Sequence, residues 1–227
     1  EAPSRHPVTR IHITAEPSAT GAAGLPGTGI SPRVRGTLMH AWLETVEWLP
    51  DAAEAAEAGV GLPDEERCLN IAAALFVPPA AAEQLLSDFR HLLNRPGTHS
   101  ALSRDQQWRL PAFQGLANVG SDAGLVVEAE RPFVRKRNGA VVQGTIDRLV
   151  LLVDRGQPIA ADIVDFKTDR FFGDRQRWIQ EKVAVYGPQL QEYREAVSHC
   201  FRIPEQRIST RLLLLEADEV VETCAVH

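Results

Sequence analysis

The stretch GTIDRLVLLVDRGQPIAADIVDFKTD, from Gly144 to Asp169, decides the fold. Apolar residues run from Leu149 to Val153 and recur at Ile159, Ile163 and Val164. Asp154-Arg155-Gly156-Gln157-Pro158 lies between them, which predicts two strands joined as a hairpin with a longer loop. Asp147 falls near the outer end of the first strand and Asp165 near the outer end of the second. In an antiparallel pair those ends are neighbours, so carboxylates 18 positions apart reach one site. Two unpaired carboxylates that close raise each other's pKa unless a cation lies between them, and a hard divalent ion is the economical partner. Lys167 is two residues beyond Asp165 and therefore on the same face of the strand. Lys136, Lys167 and Lys182 are the three lysines among 24 basic residues, so an arginine-rich chain places a compact ammonium here. Such a group suits the positioning of a water or the stabilisation of a developing oxyanion. Taken alone, an Asp-x-Lys triplet is common, and an ordinary hairpin with solvated ends is the simpler reading.

Upstream, Ser31-Pro32 is a helix start, and Leu38, Trp42, Val46 and Leu49 follow at roughly helical spacing as a buried stripe. His40 lies on the flank of that stripe with Glu44 and Glu47, and its plain reading is a partly exposed histidine paired to Glu44 one turn on. Leu125 to Lys136 reads as a strand that turns at Asn138-Gly139, the strongest two-residue hairpin signal. Three consecutive antiparallel strands then carry Glu130, Asp147 and Asp165. Glu130 is equally readable as a surface partner of Arg131 or Arg148. Downstream, Gly187-Pro188 within YGPQLQEY (Tyr186 to Tyr193) is expected to open a helix, with Gln189 and Tyr193 on one face. From spacing alone these two are an incidental surface pair.

RGTLMHAWLE (Arg35 to Glu44), Glu130-Arg131-Pro132-Phe133, the GTIDR and VDFKT pair, and YGPQLQEY occur in that order. Together they resemble the RecB-type nuclease domain of the PD-(D/E)xK superfamily, in particular the C-terminal nuclease domain of AddA/RecB helicase-nucleases, from about Pro32 to Glu216. The resemblance implies an α/β fold with a restriction-endonuclease-like core, a central mixed sheet flanked by helices, here with additional N-terminal helices. It implies magnesium or manganese held by His40, Asp147, Asp165 and the backbone carbonyl of Phe166, with Gly36 letting the first helix approach the sheet. Asp147, Asp165, Lys167, Glu130, Gln189 and Tyr193 would form the catalytic set, with the Gln/Tyr pair holding a phosphate or orienting the attacking water. The implied activity is phosphodiester hydrolysis on DNA, as an exonuclease on single strands in double-strand-break repair and recombination. The implied partners are a helicase domain in cis on a longer parent chain and an AddB-like subunit. The competing class is a catalytically degenerate module of the same fold that binds DNA or docks a helicase.

Composition bounds the rest. At 227 residues and 44% apolar the chain builds one substantial core, expected over residues 31–227 after a Gly/Pro/Ala-rich arm or linker at 1–30. Helices are expected at Asp64 to Phe76 and Pro79 to Asn94, separated by Pro78-Pro79, and a buried strand at Arg207 to Glu216 with a further one at Glu219 to Cys224. Trp108, Leu110 and Phe113 are expected as cover for the core. Cys68, Cys200 and Cys224 form no C-x-x-C pair, which argues against an iron-sulfur cluster or a disulfide framework. No P-loop sequence occurs, hence no nucleotide motor, and no apolar run reaches the ~20 residues of a membrane span, so a cytoplasmic protein is expected. The net charge of -6 is concentrated in Glu44 to Glu66, a solvated acidic segment. Arg131, Arg135, Arg170 and Arg177 are the expected phosphate contacts, with modest, salt-sensitive affinity.

Overall fold

The computed structural model describes residues 10–13 (backbone only), 30–50, 63–116, 123–137 and 139–223. The middle of the acidic segment, most of the expected arm, Asn138 and Cys224 lie outside the described residues.

Five strands lie in the order β2-β3-β4-β5-β6: β2 Gly124–Arg137, β3 Ala140–Asp154, β4 Gln157–Lys167, β5 Ile208–Leu214 and β6 Glu219–Glu222. A sixth, β1 Arg10–Ile13, falls within the expected arm and runs parallel to Val141–Gly144 of β3. The pairs β2/β3, β3/β4 and β5/β6 are antiparallel, whereas β4/β5 is parallel, so the sheet is mixed. The parallel step demands a crossover, and α6, Arg175–Phe201, the helix after the short α5 at Arg104–Gln107, provides it.

Helices cover both faces. On one, α1 Pro32–Leu43, α2 Glu65–Ala74, α3 Pro79–Leu93 and α4 Pro96–Leu102 bury Leu38, Trp42, Leu85 and Phe89 against Val164, Phe166 and Leu213. Full burial of a Leu or Phe is worth roughly 1.5–3 kcal/mol, and this layer holds the first helix on the sheet. On the other face α6 packs Tyr186, Leu190, Tyr193 and Val197 onto Leu149, Leu151, Ile163 and Leu212. Helix, three strands, helix, strand is the expected order. No helix among the described residues is long and apolar enough to cross a membrane.

Local chemistry explains most boundaries. Ser31 caps α1 by accepting from Val34 N at 3.3 Å, with Pro32 in the first turn. Asp64 and Asp174 cap α2 and α6 in the same way. Three expectations are corrected. Leu149–Val153 and Ile159 are joined not by a longer loop but by a two-residue turn, because Arg155 (φ 48°) and Gly156 (φ 76°) both take the positive φ of a primed turn. Gly187-Pro188 does not open a helix but lies inside the 27 residues of α6. A mid-helix proline forfeits one backbone bond, and the buried side chains on both sides of it, Trp178 and Ile179 before and Leu190 and Tyr193 after, outweigh that loss. Val46 and Leu49 are buried but follow the end of α1. Their segment is fixed instead by Arg148, which donates from Nη1 to Val46 O at 2.8 Å and from Nη2 to Glu47 O.

Candidate active site

The site forms where the pairing of β3 stops on both sides. Toward β4 the ladder ends at Arg148↔Val164, and toward β2 it runs Ala129↔Arg148 and then Arg131↔Ile146, omitting Asp147. The omission coincides with Glu130 at φ 47°, a left-handed conformation that costs a non-glycine residue on the order of 1–2 kcal/mol. Phe166 N–H donates not to the β3 backbone but to Asp147 Oδ2, at 2.7 Å. In the resulting fork, Asp147 meets a side chain from the first helix.

From α1 comes His40, with Nδ1 3.7 Å from Asp147 Oδ2 and its ring edge-on to Phe166. The carboxylate within 4 Å of its ring is that of Asp147 rather than Glu44. Gly36, one turn earlier, allows this approach, since a methyl group there would lie 3.1 Å from Thr168 Oγ1. One ligand atom each from His40, Glu130 and Asp147 lies within 4.8 Å of the others, a grouping able to hold a metal ion. Glu130, expected only as a catalytic acid, thus stands among ligand-type side chains. Its surface alternatives are taken up elsewhere: Arg131 pairs with Glu128 at 3.3 Å, and Arg148 is buried on backbone carbonyls.

From β4, Lys167 Nζ lies 2.6 Å from Asp165 Oδ2, as period-two alternation requires. The Asp165 side chain is 1% exposed, and among the described residues its oxygens meet, apart from Lys167, no donor in hydrogen-bonding geometry. From α6, Gln189 Nε2 donates to Tyr193 OH at 2.6 Å; both residues are buried, so they are not an incidental surface pair. Phe133 packs edge-on against Tyr193.

The electrostatics report crowded acids. Burial first, then the charges of Asp147, Glu44 and Asp165, push Glu130 up to about 7. Burial also raises Asp165 to about 7, against the pull of Lys167 and with a further push from Asp147. Asp147 is raised by burial, opposed by Lys167 and the Phe166 N–H. Burial and then Lys167 depress His40, keeping the imidazole neutral and able to act as a ligand. The Tyr193 phenol is held far above its ordinary range by burial and by the Asp165 and Asp147 charges, so it remains a proton donor. Three carboxylates with raised pKa around one neutral imidazole fit a hard divalent cation in both donor chemistry and charge.

Three residues with no assigned role complete the site. Tyr186 OH donates to Asp169 Oδ2 at 2.8 Å, Lys182 pairs with Asp169, and Lys167 Nζ sits 4.7 Å from the centre of the Tyr186 ring. The alternation Asp165-x-Lys167-x-Asp169 carried that signal.

The expected phosphate contacts fare differently. Arg135 is nearly buried in ion pairs with Glu192 and with Glu195 at 2.6 Å, which commits it to holding β2 on α6. Arg131 is engaged by Glu128 and the Phe201 ring, and Arg177 by Glu181 at 3.0 Å on the exposed first turn of α6. Arg170 is half-buried in the loop after β4. Arg131, Arg135 and Arg177 thus each make an ion pair within the chain.

Comparison with protein families adds one finding. The family described as the PD-(D/E)XK nuclease superfamily matches residues 18–223, most of the chain, and the chain belongs to it. Comparison with curated proteins gives no match.

Proposed function

We propose that this member of the PD-(D/E)XK nuclease superfamily is a metal-dependent deoxyribonuclease that hydrolyses phosphodiester bonds. The observation that carries the reading is the convergence of Asp147, Asp165, Lys167, His40 and Glu130 on the fork where β3 pairs with neither neighbour. A bound Mg²⁺ or Mn²⁺ would supply Lewis-acid polarisation and charge neutralisation at the scissile phosphate. His40, Glu130 and Asp147 are the residues that would hold it, with Asp165 and the Phe166 carbonyl completing the set.

The chain's own groups do the remaining work. Lys167, 2.6 Å from Asp165 and braced by the Tyr186 ring, positions the attacking water and meets the negative charge that develops on the phosphate oxygens. Tyr193, kept protonated and oriented by Gln189, donates to a non-bridging oxygen. Glu130, pushed up to about 7 by burial and the neighbouring acids in the metal-free chain, is the ligand whose ionisation a bound cation would favour. Every titratable member of the set is present, which favours chemistry over a degenerate binding module.

Exonucleolytic action on single-stranded DNA, delivered by a helicase in cis with an AddB-like subunit in break repair, is the finer reading, and the ordered motifs from Arg35 to Tyr193 support it. The test is digestion of end-labelled single-stranded and duplex DNA with Mg²⁺ or Mn²⁺, beside EDTA and Asp165→Asn controls. Laddering from an end of the single strand, lost in both controls, is expected. Metal-independent cleavage, or full activity in Asp165→Asn, contradicts the proposal.

A further inference from the structure

The loop that follows Lys167 carries two aromatic side chains that the chemistry above does not use. Phe172 is 63% exposed and Phe171 37% exposed. The Phe171 ring stands edge-on to Trp178 of α6 at 5.5 Å, leaving the indole almost covered. Lys182, one turn along α6, faces the Trp178 ring at 5.6 Å and the Tyr186 ring at 5.8 Å, and Tyr186 in turn contacts Lys167. Val185, two turns from Trp178 on the same stripe of α6, is 61% exposed. Single exposed apolar residues are ordinary, but these three lie on one loop and the helix it enters, and the Phe171 ring is linked through Trp178, Lys182 and Tyr186 to Lys167.

We propose that Phe171 and Phe172, backed by Trp178 and extended by Val185, form a platform on which unpaired bases next to the scissile phosphate stack. The proposal rests on the nuclease reading and specifies its substrate as a single strand. The chemistry selects this occupant. A base has a π face of the size of these rings and stacks on aromatics without regard to sequence, whereas the bases of a duplex are already stacked on one another. Arg170 and Arg177 flank the loop within a few residues, Arg177 in its ion pair with Glu181, so guanidinium groups border the rings together with the acids Asp169 and Asp174. Phe171 and Phe172 follow Lys167 by four and five positions, so the loop that bears them begins at the proposed reacting centre.

The test compares wild type with Phe171→Ala/Phe172→Ala, using fluorescence anisotropy in EDTA so that no cleavage intrudes. The probes are a short oligothymidylate strand and an abasic strand of equal length and charge. Wild type is expected to prefer the strand with bases by about tenfold or more, and the double variant to lose that preference while binding the abasic strand as before. Manganese uptake by the variant, measured in parallel, reports that the fold and the acid cluster are intact. Phe172→Ala alone removes the more exposed ring and should give part of the same loss. A double variant that retains the full preference overturns the platform, as does a wild type with no preference, the result expected if the loop serves a protein partner. Either result leaves the nuclease reading standing if Lys167-dependent cleavage persists. Conversely, a base preference that depends on the two phenylalanines in a protein that never cleaves DNA supports the platform and removes the chemistry.

Discussion

His40 Nδ1 lies 3.7 Å from Asp147 Oδ2, joining the first helix to the strand position at which both neighbouring ladders are interrupted. With Glu130 alongside, this pair is the nucleus of the proposed cation site. His40→Ala and Asp147→Asn should each weaken manganese binding by at least about tenfold in calorimetric titration while far-UV circular dichroism is unchanged. Unaltered uptake in both variants would move the site elsewhere.

Stability without metal should fall as pH rises. Glu130 and Asp165 titrate near 7 in the folded chain, against ordinary values of 4.5 and 3.8. Between the unfolded and folded values the native state binds more protons, so the slope of unfolding free energy against pH is negative over roughly pH 4 to 7. His40, depressed when folded, acts in the opposite sense: its neutral form is favoured above about 6.5 and costs stability as pH falls below that. The two carboxyls dominate the upper window. Manganese, which requires the deprotonated acids, should therefore raise the melting temperature more at pH 8 than at pH 5. Differential scanning fluorimetry at both values checks this, and Asp165→Asn should flatten the metal-free slope.

Arg148 should be structural yet felt at the site. Its guanidinium is buried on the Val46 and Glu47 carbonyls and over the Trp48 ring, and it remains charged despite a pKa that burial lowers to about 10. Arg148→Met leaves those carbonyls unpaired and should cost about 2–4 kcal/mol in urea denaturation. Because the freed segment follows the helix that carries His40, manganese affinity should fall as well.

Gly36 sets the distance between α1 and β4. Gly36→Ala gains up to about 1 kcal/mol of helix propensity, but the new methyl meets Thr168 Oγ1 at 3.1 Å. The Thr168 hydroxyl must give by a few tenths of an ångström, and where it is held, the helix shifts and takes His40 with it. Cleavage should drop by about tenfold with a melting temperature close to wild type; a fully active variant would show that this approach is not required.

Much of this was legible in the sequence because local chemistry and global fold agree. Ser31-Pro32 and Asp64 cap the helices expected after them, Asp165 and Lys167 share a face by alternation, and the acids fall on three successive strands. What was not legible depends on distant partners. The first half of α6 was hidden by Gly187-Pro188, whose breaking tendency yields to packing that no local window contains. The positive φ of Glu130, which groups it with His40, follows from the surrounding sheet rather than from glutamate's own preference. Arg135 is claimed by Glu192 and Glu195, 57 and 60 residues on, so its availability to DNA could not be judged from composition.

The most direct test is a single substitution read two ways: Lys167→Ala, measured for manganese uptake and for cleavage of labelled single-stranded DNA. The account predicts that the variant still takes up manganese while its cleavage rate falls at least on the order of 10²-fold below a wild type that requires metal. A variant that cleaves as fast as wild type, or a wild type that neither binds metal nor cleaves, would contradict it.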